Sequence, residues 1–145
     1  MTSQDWLRDG RLTKHATSPE EIRDLKTAAA RDLRDCRISD LSADWRFNIA
    51  YNAALRMATA ALAASGYRAS RDQHHFRVIH SLEFTVRADP GLIGLFDQFR
   101  KKRNIGTYER PGTVSEHEVD QMLNLAEKVR DMVDAWLRTE HPELL

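Results

Sequence analysis

The run Arg100-Lys101-Lys102-Arg103-Asn104, with Tyr108 four residues after Asn104, is where this chain concentrates groups able to handle an anion. A guanidinium grips phosphate through planar pairs of N–H donors, an ammonium acts as a point charge, and a phenol donates a hydrogen bond or stacks on a base. Cations also collect at helix C-termini, where the macrodipole and free carbonyls favour them. That accounts for Lys101 and Lys102 without any ligand, but not for Arg103. At 100° per residue, Leu92, Phe96, Phe99 and Arg103 share a face, so an apolar stripe runs straight into a guanidinium. An inward arginine has three outlets: its head reaches back to solvent, it pairs with an acidic side chain, or it lines a polar cleft that receives an anion.

A second polar group interrupts an otherwise apolar segment. Asn48, Asn52, Arg56 and Thr59, spaced four, four and three, fall on one helical face. They form either a network of buried amides or the wall of a cleft opposite Arg103. The histidines offer less. His74 and His75 read as ordinary polar residues at a helix start, His80 lies further along the same helix, and His117 reads as a solvated first-turn residue. The chain contains no HExxH pattern, paired cysteines, glycine-rich phosphate loop or GxSxG turn. No metal or cofactor is expected.

The elements that must position these groups are helical. Ser18-Pro19-Glu20-Glu21 combines an N-cap serine with proline in the first turn, and Ile22, Leu25, Ala29, Leu33 and Cys36 mark one face of the helix that follows. A second helix is predicted from about 42 to 64, apolar on nearly all sides, alanine-rich and stopped by Gly66. A third is predicted over about 71–86, with Phe76, Ile79 and Leu82 or Phe84 inward. A fourth runs from Asp89-Pro90 to about Asn104, and a fifth starts at the capping box Ser115-x-x-Glu118 and ends at Pro142. No strand pattern is visible. The expected architecture is an all-α, antiparallel bundle of four to five helices over 18–141, with an N-terminal arm at 1–17 packed on it through Trp6, Leu7 and Leu12, and a tail at 142–145.

Whole-chain properties narrow the function classes. The 145 residues suit one domain. Lys and Arg total 22 against 22 Asp and Glu, so any nucleic-acid affinity must come from a local patch. The patch is at 98–110, where five basic residues face Glu109 as the one acid in its latter half, and an acid-rich final helix follows. A single cysteine, Cys36, fits a reducing compartment. No apolar run approaches a membrane span, and the N-terminus lacks the apolar core of a signal peptide. The expected localisation is cytoplasmic.

The stretches DWRFNIAYNAAL, GYRASRDQHHFRVIHSL and FRKKRNIGTYERPGTVSEHE, in this order, resemble a HEPN domain over about residues 18–138. These small all-helical proteins occur in prokaryotic defence and toxin–antitoxin systems. Many are metal-independent ribonucleases carrying an Arg, often followed by Asn, then four to six residues to a His, at a cleft commonly formed between two copies. The resemblance places Arg103-Asn104 at the start of that motif and Tyr108 where the histidine would stand. A phenol with a pKa of about 10 is a poor base at neutral pH beside a histidine near 6.5. The resemblance therefore implies a homodimeric module that binds RNA or a nucleotide, with weak or no catalysis. Its implied site comprises Arg103 and Tyr108, with Arg100, Lys102, Asn104, Asn48, Asn52 and Arg56 around the ligand, and a nucleotidyltransferase-like protein is an implied partner. An active metal-independent ribonuclease with a different base, and a structural or protein-interaction bundle without ligand, are the alternatives.

Overall fold

The computed structural model describes residues 2–104 and 112–145. Six α-helices are present among them: α1 (Ser3–Arg8), α2 (Pro19–Asp35), α3 (Ala43–Ala64), α4 (His74–His80), α5 (Pro90–Asn104) and α6 (Glu116–Glu140). Side-chain caps open three of the long ones. Ser18 accepts from Glu21 N at the start of α2, Ser42 from Trp45 N at the start of α3, and Ser115 and Glu118 close a reciprocal capping box on α6. Each cap satisfies backbone donors that a helix start leaves open, worth about 1 kcal/mol apiece. Gly66 closes α3 at φ +93°, a left-handed conformation that a β-carbon would oppose.

The strand content and the third helix are corrected. The chain does contain strands: β1 (Leu12–Lys14) and β2 (Tyr67–Ala69) pair antiparallel, Leu12 opposite Ala69 and Lys14 opposite Tyr67. Three residues per strand are too few for alternation to register against a helical background. The pairing ties the N-terminal arm to the turn after α3. Trp6 packs edge-on against Phe84 at 5.2 Å, and Trp6 and Leu12 are buried in the core while Leu7 is only half-buried. The third predicted helix is also shorter than its pattern. Gln73 sits in the left-handed region at φ +50°, so α4 begins at His74, and the chain tightens into a 3₁₀ turn over Ser81–Glu83. Val78, Ile79 and Leu82 point inward, while Phe76 and Phe84 are half-buried.

Polar and aromatic contacts fix the helix directions. Lys26 of α2 pairs with Asp134 of α6, and Arg37, just past α2, pairs with Glu127. Asp32 of α2 pairs with Arg56 of α3, and Arg46 Nε donates to Cys36 O. Residue numbers rise on one partner and fall on the other, so α2 is antiparallel to both α3 and α6. By the same test α3 is antiparallel to α5, through Phe47 on Phe99 and Tyr51 on Phe96. Lys102 near the end of α5 reaches Glu118 near the start of α6, as antiparallel neighbours do. The exception to the expected arrangement is α3 with α6. They pack along much of their length and run the same way, with Arg46 and Glu116 paired at their N-terminal ends. Ala50, Ala53, Ala54, Ala58, Ala60 and Ala61 are all fully buried. Such small side chains let the central helix approach its neighbours closely. Trp45, counted among its apolar residues, lies 58% exposed at its first turn.

Candidate functional site

Arg103 sits where the stripe predicts, in the last turn of α5 beyond the buried Phe96 and Phe99. It is half-buried, and its Nε donates to Asn48 Oδ1 of α3 at 2.7 Å. Its guanidinium carbon lies 5.3 Å from the centroid of the Tyr51 ring, a cation–π placement. Asn48 is itself buried, so this hydrogen bond gives an amide oxygen a charged donor it would otherwise lack at the core's edge. The Asn48–Arg103 contact thus crosses from one proposed wall to the other.

The remaining members of the polar stripe go elsewhere. Arg56 Nε donates to Asp32 Oδ2 of α2 at 3.0 Å. Two turns of helix separate it from Asn48, about 12 Å along the axis. Thr59 bonds back to Leu55 O, and Asn52 is half-buried between. Arg56 is therefore part of a structural ion pair between α2 and α3, and Asn48 is the member of the stripe that meets α5. The cluster on α5 divides similarly. Lys102 Nζ lies 3.5 Å from Glu118 of α6, and the exposed Lys101 lies 3.6 Å from Asp97. Arg100 and Asn104 face α4. Tyr108 lies outside the described residues.

Arg100 and Asn104 line an open cleft of about 370 Å³, whose other wall is the start of α4: Gln73, His74, His75 and Phe76. That volume is at the lower end for small-molecule sites. Arg100 is held from two directions: its Nε–H is taken by Asp97 Oδ1 at 2.8 Å, and its guanidinium carbon lies 5.6 Å from the centroid of the Phe76 ring, which also contacts the His80 ring at 4.1 Å. No hydrogen bond among the described residues uses its terminal nitrogens. A guanidinium fixed in this way presents its fork without losing further rotamer freedom on binding.

Sequence reasoning missed His75. It reads as a polar residue at a helix start, yet it is half-buried, with Nδ1 3.1 Å from the hydroxyl of the fully buried Tyr51. Burial, the charge of Arg103, neighbouring His74 and Arg100 together hold His75 below the ordinary imidazole range. Burial pushes the Tyr51 phenol well above its ordinary value, so it stays protonated. No local pattern could have exposed this, because Tyr51 and His75 are 24 residues apart and meet only through packing of α4 on α3. His74 bonds Ser70 O through Nδ1 at 3.2 Å, and His117 is exposed at the start of α6.

Elsewhere the chemistry is quiet. Cys36 is buried, with its thiol pushed up by burial and donating to Leu33 O. Among the described residues no group of His, Cys, Asp and Glu is arranged to hold a metal ion, and no helix is long and apolar enough to cross a membrane. Comparison with known proteins finds no matching family model, no similar curated protein and no similar solved structure.

Proposed function

We propose that this chain is a HEPN-like module that binds RNA or a nucleotide by its phosphate in the cleft between α4 and α5, with weak or no catalysis. The observation that carries the reading is a guanidinium held in the wall of that cleft, with a second one three residues further along the same helix. Arg100 is pre-oriented in its wall, Asn104 stands beside it, and Arg103 follows less than a turn after Arg100, anchored by Asn48 and Tyr51. Asn48 holds Arg103 through an amide oxygen, and this contact orients the guanidinium. The chain as a whole has no net charge, which makes a local concentration of this kind the route by which it would attract a polyanion. The HEPN resemblance supplies the setting: a homodimer acting in a defence or toxin–antitoxin system beside a nucleotidyltransferase-like partner.

Binding of a fluorescein-labelled single-stranded RNA in chelator, followed by anisotropy, tests this. Wild type is expected to bind, and Arg100→Ala and Arg103→Ala each to weaken binding about tenfold, corresponding to about 1.4 kcal/mol for one charged contact. Unchanged affinity in both variants, with circular dichroism showing them folded, would reject the cleft as the site.

A further inference from the structure

The pairing of Tyr51 with His75 gives the cleft a property that its arginines alone would not. Tyr51 is fully buried on α3, and among the described residues His75 Nδ1 is the hydrogen-bond partner of its hydroxyl. A buried hydroxyl that is protonated must place its proton on an acceptor or leave it unsatisfied. The phenol therefore donates to Nδ1. A ring nitrogen accepts only in the neutral imidazole, which then carries its proton on Nε2. Empty, the site favours a neutral His75 of one defined tautomer.

The charges facing His75 reinforce that state. Arg100 and Arg103 approach from α5, and His74 adjoins it on α4. The nearest carboxylate on α5, Asp97, is shared by Arg100 at 2.8 Å and Lys101 at 3.6 Å, and lies 3.8 Å from His80. On the α4 side, Arg77 engages Ser70 and Asp72. Protonating His75 in the empty cleft would thus bring a third positive charge beside two guanidinia and remove the acceptor of the Tyr51 proton. A phosphate beside the ring offsets these costs: its negative charge stabilises an imidazolium and gives Nε2–H an acceptor, while the Tyr51 oxygen, an acceptor as well as a donor, takes Nδ1–H and the phenol proton gives up its bond.

We infer that His75 is a phosphate-binding residue of the cleft that takes up a proton from solvent as an RNA phosphodiester enters. This rests on the reading of the cleft as an RNA site and adds a pH linkage to it. The reciprocal consequence is that RNA binds more tightly as pH falls.

The probe is a uridine tetranucleotide without terminal phosphates, so that no phosphomonoester titrates in the working range. Its dissociation constant is measured by calorimetry from pH 5.5 to 7.5, at each pH in two buffers of different ionisation enthalpy, which reads proton uptake directly. Expected are a roughly five- to tenfold tighter affinity at the acid end, for linkage to less than one full proton, and net proton uptake. In His75→Gln the slope and the uptake disappear while binding persists, and in His74→Gln both remain. Binding by wild type with no pH slope and no uptake would overturn the inference and leave the RNA reading intact, as would a slope that survives in His75→Gln. Absence of binding by folded wild type at every pH would overturn the RNA reading itself, and the linkage with it. Should His75→Gln fail to fold, ¹⁵N spectra of the wild-type imidazoles serve instead. They should show His75 as the Nε2–H tautomer when free, with its midpoint rising on addition of the tetranucleotide, and an unmoved midpoint would refute the linkage.

Discussion

Replacing Arg103 with alanine should destabilise the fold as well as the site, by an amount the structure lets us work out. The change removes a 2.7 Å hydrogen bond from a charged donor to Asn48 Oδ1, whose residue is 9% exposed. Bonds of this kind contribute about 1.5–3 kcal/mol, because the acceptor left behind is poorly placed to find water. It also removes the cation–π contact on Tyr51, worth about 0.5–1 kcal/mol for a group still partly solvated. Part of this is recovered, since the half-buried guanidinium no longer has to be desolvated. A net loss of about 2 kcal/mol is expected, or a Tm lower by roughly 4–8 °C for a chain of this size. The decisive assay is a double-mutant cycle by urea denaturation with Asn48→Ala, Arg103→Ala and the pair. If the two residues form the tie described, the double mutant is about 1 kcal/mol or more less damaged than the sum of the singles. Additivity to within about 0.3–0.5 kcal/mol would show that the contact carries no coupling and that Asn48 does not anchor Arg103.

Other expected outcomes separate structural from binding residues. Arg56→Met breaks the half-buried pair with Asp32, which is only 8% exposed, and should lower stability by about 1–3 kcal/mol in urea denaturation while RNA affinity stays within twofold of wild type. The free protein should lose stability on acidification through His75. Its pKa is lower folded than unfolded, so the unfolded chain binds more protons as pH falls below the ordinary value of about 6.5, and a plot of Tm against pH should fall there more steeply for wild type than for His75→Gln. Ser115→Ala removes the cap of α6 and should cost about 1 kcal/mol, read as a lower urea midpoint with an unchanged slope. RNA incubated with the protein in chelator should remain largely intact on a denaturing gel, and cleavage abolished by Arg103→Ala would instead favour the ribonuclease alternative.

Much of the scaffold is legible in local chemistry. Ser18 and Ser115 announce α2 and α6 because capping depends on one side chain and a backbone donor three residues away. The inward direction of Arg103 is legible for the same reason, as a helix maps spacing onto angle. What spacing cannot carry is the identity of the partner across the gap. Asn48 and Arg56 share a stripe in the sequence, but one meets α5 and the other α2, because a central helix has neighbours on several sides. The parallel course of α3 and α6 is equally invisible locally, since it follows from two intervening helices. His75 escaped notice because its environment comes from Tyr51, Arg100 and Arg103, all distant in sequence. The strands escaped because three residues are too short to alternate.

The most direct test of the central claim is a ¹H–¹⁵N spectrum of the intact protein titrated with the uridine tetranucleotide at pH 6. Saturable shifts are expected on Gln73–Phe76, Arg100 and Asn104, which line the cleft, with the α2 and α6 faces unaffected. A spectrum that does not change at millimolar RNA, or shifts centred elsewhere on the fold, would contradict it.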